Sequence, residues 1–168
     1  MEENVTTIEL PKKRPTFLTV LCILSLIGSG GLGLIYSAYQ YVTFDTTYTT
    51  EMEKMETAMD QFNDADIDSG FLYNSVQNNI IRLKATAENL DLITGANCLF
   101  AIISLIGVFM MFKLKKNGFY VYTFANLFWL LVPLALIDFD AMLTNTMIGA
   151  GFTVLFVILY AVNLKHME

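Results

Sequence analysis

The stretch that decides the fold is residues 14–45, which read RPTFLTVLCILSLIGSGGLGLIYSAYQYVTFD. Between Arg14 and Asp45 it contains no Asp, Glu, Lys, Arg or His. A helix needs about 20 apolar residues to cross the hydrocarbon core of a bilayer, so this run is long enough. Three more uncharged runs follow. The sequence therefore predicts an all-α membrane protein, a bundle of four transmembrane helices over residues 16–42, 92–112, 119–137 and 144–164.

The composition supports a membrane protein. Hydrophobic residues make up 55% of the 168 residues and charged residues 15%, whereas an ordinary soluble domain has about 25% charged residues. A soluble domain of this length could not bury so many apolar side chains in one core. The composition excludes a soluble globule, a disordered chain and a disulfide-rich secreted module.

The distribution of Lys and Arg predicts the orientation, because basic residues near span ends stay on the cytoplasmic side. Seven of the ten basic residues precede span one, join spans two and three, or follow span four. The segments on the opposite side of the membrane carry twelve acidic and three basic residues. We expect a cytoplasmic tail at 1–15, a cytoplasmic turn at 113–118, an outer loop at 138–143 and a cytoplasmic tail at 165–168.

The segment 43–91 has the apolar periodicity of two amphipathic helices. Helix-breaking and capping residues lie between them, at 63–70. Neither limb is separated from its span by Pro or Gly, so we expect each limb to continue its span without a break. The prediction is an acidic, extracytoplasmic helical hairpin that pairs as an antiparallel coiled coil. Its apolar stripe consists of Met52, Met55, Met59, Phe62, Val76, Ile80 and Leu83.

Span one also carries small residues at four-residue intervals, namely Ser25, Ser29, Gly33 and Ser37. Small residues let helix backbones approach closely in lipid, which predicts that span one is the centre of packing. Asn97 and Asn126 are the most polar deep residues of spans two and three. We expect them to hydrogen-bond to each other or to backbone, with contact to a substrate as the alternative.

One motif could bind a metal ion. Asp64, Asp66 and Asp68 stand at alternate positions before Gly70, as oxygen ligands do in a calcium loop. The glycine comes one residue late for the EF-hand pattern, and Ser75 occupies the position of the bidentate Glu. Because Asp and Ser also favour helix ends, calcium binding is the less favoured of the two interpretations.

Residues 14–30 and the turn KKNGFY at 115–120 resemble segments of small bacterial four-span membrane proteins, a family without a settled activity. The resemblance implies a bacterial inner membrane, with the hairpin in the periplasm.

No catalytic or cofactor-binding signature is present in the sequence, and we expect neither enzymatic activity nor a cofactor. The leading hypothesis is a non-enzymatic interaction or accessory subunit. A sensor or ion-responsive protein that uses the three aspartates is one alternative, and a small oligomeric transporter or channel subunit is the other. The expected partners are the lipid bilayer and a protein or second copy bound through the hairpin or span one, but not nucleic acid.

Overall fold

The computed structural model describes residues 14–168, except for the side chains at positions 29, 30, 144 and 145. Residues 1–13, most of the predicted N-terminal tail, lie outside this range. The described residues form helices and no strand. The helices are α1 (Thr16–Ser25), a π-helix (Leu26–Leu32), α2 (Gly33–Asp64), α3 (Phe71–Glu88), α4 (Leu90–Phe112), α5 (Asn117–Leu136), α6 (Phe139–Asn163) and a short 3₁₀ turn (Leu164–His166).

Four helical segments are long and apolar enough to cross a membrane, as the sequence predicts. They are Thr16–Asp64, Leu90–Phe112, Asn117–Leu136 and Thr146–His166. The first of them joins α1, the π-helix and α2 into 49 residues without a break. The continuity expected between span one and the first limb is therefore confirmed.

The second limb does not continue into its span, so that part of the prediction is wrong. α3 ends at Glu88 and α4 begins at Leu90, with Asn89 at φ −117° and ψ 21° between them. The Asn89 side-chain amide donates to the carbonyl oxygen of Ala85 at 2.9 Å. Asn79 and Asn126 make the same bond to the carbonyl four residues earlier inside unbroken helices, so this bond accompanies the break but does not by itself cause it.

The segment 138–143, expected to be a loop, is helical from Phe139 onward. The Asp138 carboxylate accepts hydrogen bonds from the backbone N–H groups of Asp140 and Ala141, at 3.1 and 3.3 Å. This N-cap satisfies donors at the start of α6, which allows the helix to begin before the uncharged run.

The buried core lies at one end of the bundle, which we call the lysine end because Lys113–Lys116 connect α4 to α5 there. The opposite end, where Asp91 and Asp138 lie next to the starts of α4 and α6, is called the acidic end. The core residues come from α1, α4, α5, α6 and the C-terminal tail. They are Leu18, Leu21, Cys22, Val108, Met111, Tyr122, Tyr160 and Met167.

α4 and α5 make the closest helix–helix approach near the lysine end. A Cβ added to Gly107 would lie 2.6 Å from the backbone nitrogen of Tyr122, and one added to Gly118 would lie 2.5 Å from the carbonyl oxygen of Gly107. In span one, a Cβ at Gly28 would meet no atom within 4 Å. Span one contributes Leu18, Leu21 and Cys22 to the core, whereas the glycines in backbone contact are on α4 and α5. The expectation that span one is the centre of packing stays a prediction.

The C-terminal residues, predicted to be a tail, bind the connection between α4 and α5. The Glu168 N–H donates to the Leu114 carbonyl at 2.7 Å, and the Lys116 N–H donates to the Glu168 carbonyl at 2.6 Å. Met167 is 1% exposed. Leu114 has a φ of 62°, which is uncommon for a residue with a side chain, and these bonds help to hold it in that conformation.

Candidate functional site

Two regions of the molecule carry candidate functional residues. The first is the pair of helices formed by the C-terminal part of α2 and by α3, which contact each other. Met52 and Leu83 are the most buried residues of the predicted apolar stripe, at 8% and 9% exposure. The ring centroids of Phe62 and Tyr73 lie 6.0 Å apart across the two helices. The remaining stripe residues, Met55, Met59, Val76 and Ile80, are half-buried.

The aspartates of the predicted calcium motif surround the end of α2. The N–H of Asp66 donates to the carbonyl of Asn63, and the N–H of Ile67 donates to that of Phe62. Together with the φ of 55° at Asp66, this is a Schellman motif, in which a left-handed residue ends the helix.

Asp64, Asp66 and Asp68 are all exposed. Within the described part of the chain, no three His, Cys, Asp or Glu side chains lie close enough to hold a metal ion. The geometry therefore supports the helix-end interpretation of these residues.

The connection between the two helices also exposes apolar side chains that the sequence analysis did not single out. Phe71 is 84% exposed, Leu72 66% and Ile67 43%. Phe71 and Leu72 follow Gly70, which has a φ of 110° that favours glycine. The signal available in the sequence was their position directly after the turn at 63–70. Leu72 lies four residues before Val76 and continues the spacing of the α3 stripe, whereas Phe71 is out of register with it. We call Ile67, Phe71 and Leu72 the apolar tip.

The second region is a cavity of about 370 Å³ between the first long helix, α4 and α5. A smaller groove of about 210 Å³ lies beside it and shares Gly28 and Asn126 with it. Both are nearer to the acidic end than the core is. None of the described residues that line the large cavity carries a charge. The polar groups on its wall belong to Tyr36, Ser37, Gln40, Asn97, Ser104, Asn126 and Trp129.

The two deep asparagines are both on this wall, but they do not hydrogen-bond to each other. Asn126 Nδ2 donates to the Ser104 hydroxyl at 3.0 Å and to the Tyr122 carbonyl at 2.8 Å. Asn97 Oδ1 accepts a hydrogen bond of 2.7 Å from the Trp129 indole N–H. The expected backbone partner is thus found for Asn126, whereas Asn97 is bound by a side chain that the sequence analysis did not consider.

The π-helix explains why span one borders a cavity. Glycine weakens an α-helix, and Leu26–Leu32 contains three glycines. A π-helix bonds i to i+5, so residues four apart on either side of it no longer share one face. Ser25 accepts a hydrogen bond of 2.9 Å from Tyr160 of α6, whereas Gly33 and Ser37 line the cavity beside α4 and α5. The backbone of Ser29 belongs to the π-helix, and its side chain lies outside the described atoms.

Comparison of the chain with protein-family models, with curated proteins and with solved structures finds no match. The resemblance of residues 14–30 and 115–120 to small bacterial membrane proteins thus stays an expectation.

Proposed function

We propose that the protein is a non-enzymatic, multi-pass membrane protein that acts as an interaction or accessory subunit. In this proposal the α2–α3 pair extends from the membrane as an acidic coiled-coil hairpin. The hairpin lies outside the cytoplasm and both termini lie inside it, in the inner membrane of a bacterium. The basic residues around spans one, two, three and four support this orientation.

The observation that carries the proposal is the apolar tip. Phe71 and Leu72 are more than half exposed on a pair of helices whose other large side chains are mostly half-buried. Exposed apolar side chains with a polar rim are typical of protein-interaction sites, and large apolar anchors supply much of the binding energy at such sites. The tip is therefore the part of the hairpin that we expect to enter a partner's pocket.

Charge narrows the choice of partner. Residues 43–91 contain ten acidic and three basic residues, a net charge of −7. Lys54 pairs with Glu51 at 2.8 Å, whereas Arg82 donates to Asn79. A surface with this excess of acid attracts a positively charged protein surface and is repelled by anionic lipid headgroups. A partner protein with basic residues around an apolar pocket fits both features.

The test is photo-cross-linking in native membranes, with a photoreactive amino acid in place of Phe71. We expect one protein adduct, whose yield falls several-fold when Asp64, Asp66 and Asp68 are replaced by Asn. The matched control places the same probe at Gln77, an exposed polar residue on the same helix. It should give little of that adduct.

Adducts only with lipid, or the same adducts from both positions, would contradict the proposal. An adduct between two copies of the chain would replace the accessory role with self-association.

The transporter or channel hypothesis is the second candidate, and the polar cavity is the observation that favours it. Asn97 and Asn126 line that cavity together, and uncharged polar side chains can line a pathway for a neutral solute. Solute uptake into vesicles containing the purified protein would test it. The sensor hypothesis has less support, because the three aspartates are exposed at a helix end.

A further inference from the structure

The cavity has the size and wall chemistry of a ligand site within the bilayer. Small-molecule sites usually measure about 300–1,000 Å³, and this cavity measures about 370 Å³. Its wall combines the apolar surfaces of Phe100, Ala101 and Ala125 with neutral amides, hydroxyls and an indole N–H. A fully charged group placed here would have no opposite charge beside it among the described lining residues, which is costly at membrane depth.

Some polar atoms on the wall still lack a protein partner. Asn126 uses its amide hydrogens for Ser104 and Tyr122, but no donor among the described residues reaches its Oδ1. Asn97 accepts from Trp129 through Oδ1, and its Nδ2 has no acceptor within the described part of the chain. Neither atom is enclosed by protein, and both residues line the cavity. Polar atoms at membrane depth require a hydrogen-bonding partner, and here the cavity has to supply it.

The cavity opens along its side as well as toward the acidic end. Gly28 and Gln40 both line it and both are exposed. They are 12 residues apart on one helix, which corresponds to about 18 Å of rise. Tyr36 and Trp129 also line the cavity and are 59% and 38% exposed. A molecule in the surrounding lipid could therefore enter the cavity without crossing the bundle.

We propose that this cavity binds the uncharged, oxygen-bearing headgroup of a membrane lipid that enters from the side. Diacylglycerol represents this class, because its hydroxyl can donate to Asn126 Oδ1 and its ester carbonyls can accept from Asn97 Nδ2. The acyl chains of such a lipid remain in the bilayer. The same polar groups could bind a free polyol, so the test has to separate the two sources.

The experiment uses the full-length protein in phosphatidylcholine vesicles that contain a photoactivatable diacylglycerol. We expect labelling of cavity residues, located by mass spectrometry of the digested protein. Unlabelled diacylglycerol should compete for the label, whereas phosphatidic acid with the same acyl chains should compete about tenfold less well. Glycerol in the buffer should not compete.

A cavity-filling variant tests the location. Gly28→Leu adds a side chain to the wall of the cavity, where an added Cβ meets no atom within 4 Å, so it should reduce the space in the cavity without displacing neighbours. We expect about tenfold less labelling. Gly151→Leu is the matched control, because a Cβ there also meets no atom within 4 Å and Gly151 does not line the cavity. Gly151→Leu should be labelled to the same extent as the wild type. Thermal unfolding in detergent verifies that both variants fold.

Three results would overturn the proposal. Labelling that Gly28→Leu leaves unchanged would locate the lipid elsewhere. Equal competition by phosphatidic acid would show that the site does not exclude charge. Competition by glycerol would assign the cavity to a water-soluble polyol. The competition experiments use the wild-type protein, so they remain decisive even if Gly28→Leu does not fold.

Discussion

Tyr160 and Trp129 lie in the same bundle but in different surroundings. Tyr160 is completely buried, donates to Ser25 at 2.9 Å and meets Tyr122 edge to face at 5.0 Å. Trp129 is 38% exposed and donates to Asn97 beside a cavity. The half of the bundle near the lysine end is close-packed, whereas the half near the acidic end is partly open.

The comparison shows that small residues have opposite effects in the two halves. Gly107 faces Gly118 across two helices, so the backbones come into contact. Gly28 faces no atom within 4 Å of its missing Cβ, and the space becomes part of the cavity. The same residue type therefore permits backbone contact at Gly107 and leaves open space at Gly28. The following predictions test this contrast, from the largest expected effect to the smallest.

Gly107→Leu should be the most damaging change. Even a Cβ at this position would lie 2.6 Å from the backbone nitrogen of Tyr122, and backbone cannot move aside as a flexible side chain can. We expect a loss of about 3 kcal/mol or more of unfolding free energy, measured by denaturation in mixed detergent micelles. Gly151→Leu, with open space around it, should change the same quantity little. Equal losses of unfolding free energy in both variants would contradict the difference in packing between close-packed and open glycine positions.

Met167→Ala should be the next most damaging. Met167 is 1% exposed and belongs to the core at the lysine end, so its truncation leaves a cavity. The expected loss is about 2–3 kcal/mol, measured in the same way. Met147, which is 66% exposed on α6, provides the comparison, and Met147→Ala should cost far less. If Met167→Ala has no effect, then the C-terminal residues do not contribute to the core.

Tyr160→Phe removes one hydroxyl from the close-packed half without removing the ring. The hydrogen bond to Ser25 disappears while the contact with the Tyr122 ring remains, so we expect a loss of about 1 kcal/mol. Tyr120→Phe serves as the control, since Tyr120 is 63% exposed. A thermal unfolding series in detergent would compare the two variants. A loss as large as that of Met167→Ala would mean that the ring has also been displaced.

Gly28→Ala should have the smallest effect and the opposite sign. The added methyl group meets nothing, and Ala favours helix over Gly by about 0.5–1 kcal/mol. We expect unchanged or slightly higher stability, by up to about 0.5 kcal/mol, in the same denaturation assay. A clear loss would show that the π-helix needs glycine at this position for a reason other than space.

The sequence was sufficient for features that depend on composition and local pattern. Charge-free runs located four helices, and periodicity identified Met52 and Leu83 as buried residues of the α2–α3 pair. It was insufficient for features that depend on local backbone geometry or on contacts between residues far apart in the chain. The break at Asn89 occurs without a Pro or Gly to mark it, and the approach of Gly107 to Gly118 depends on which helices become neighbours.

The candidate site could be anticipated only in part. Asn97 and Asn126 stand out in the sequence because amides are rare at membrane depth. The π-helix that separates Ser25 from Gly33 and Ser37 could not be inferred, because four-residue spacing assumes a uniform α-helix. Trp129 also gave no signal among the many aromatic residues of span three, since its role depends on a hydrogen bond to another helix.

The continuity of the first long helix has a mechanical consequence. α2 has 32 residues and a length of about 48 Å, and it starts directly after the glycine-rich π-helix. If it tilts by about 10° at that start, its far end moves by about 8 Å. The hydrogen bond of 2.9 Å between the Tyr41 hydroxyl and Asp91 lies in the N-terminal part of α2 and resists the tilt. A force applied at the apolar tip would thus be transmitted to the backbone beside the cavity.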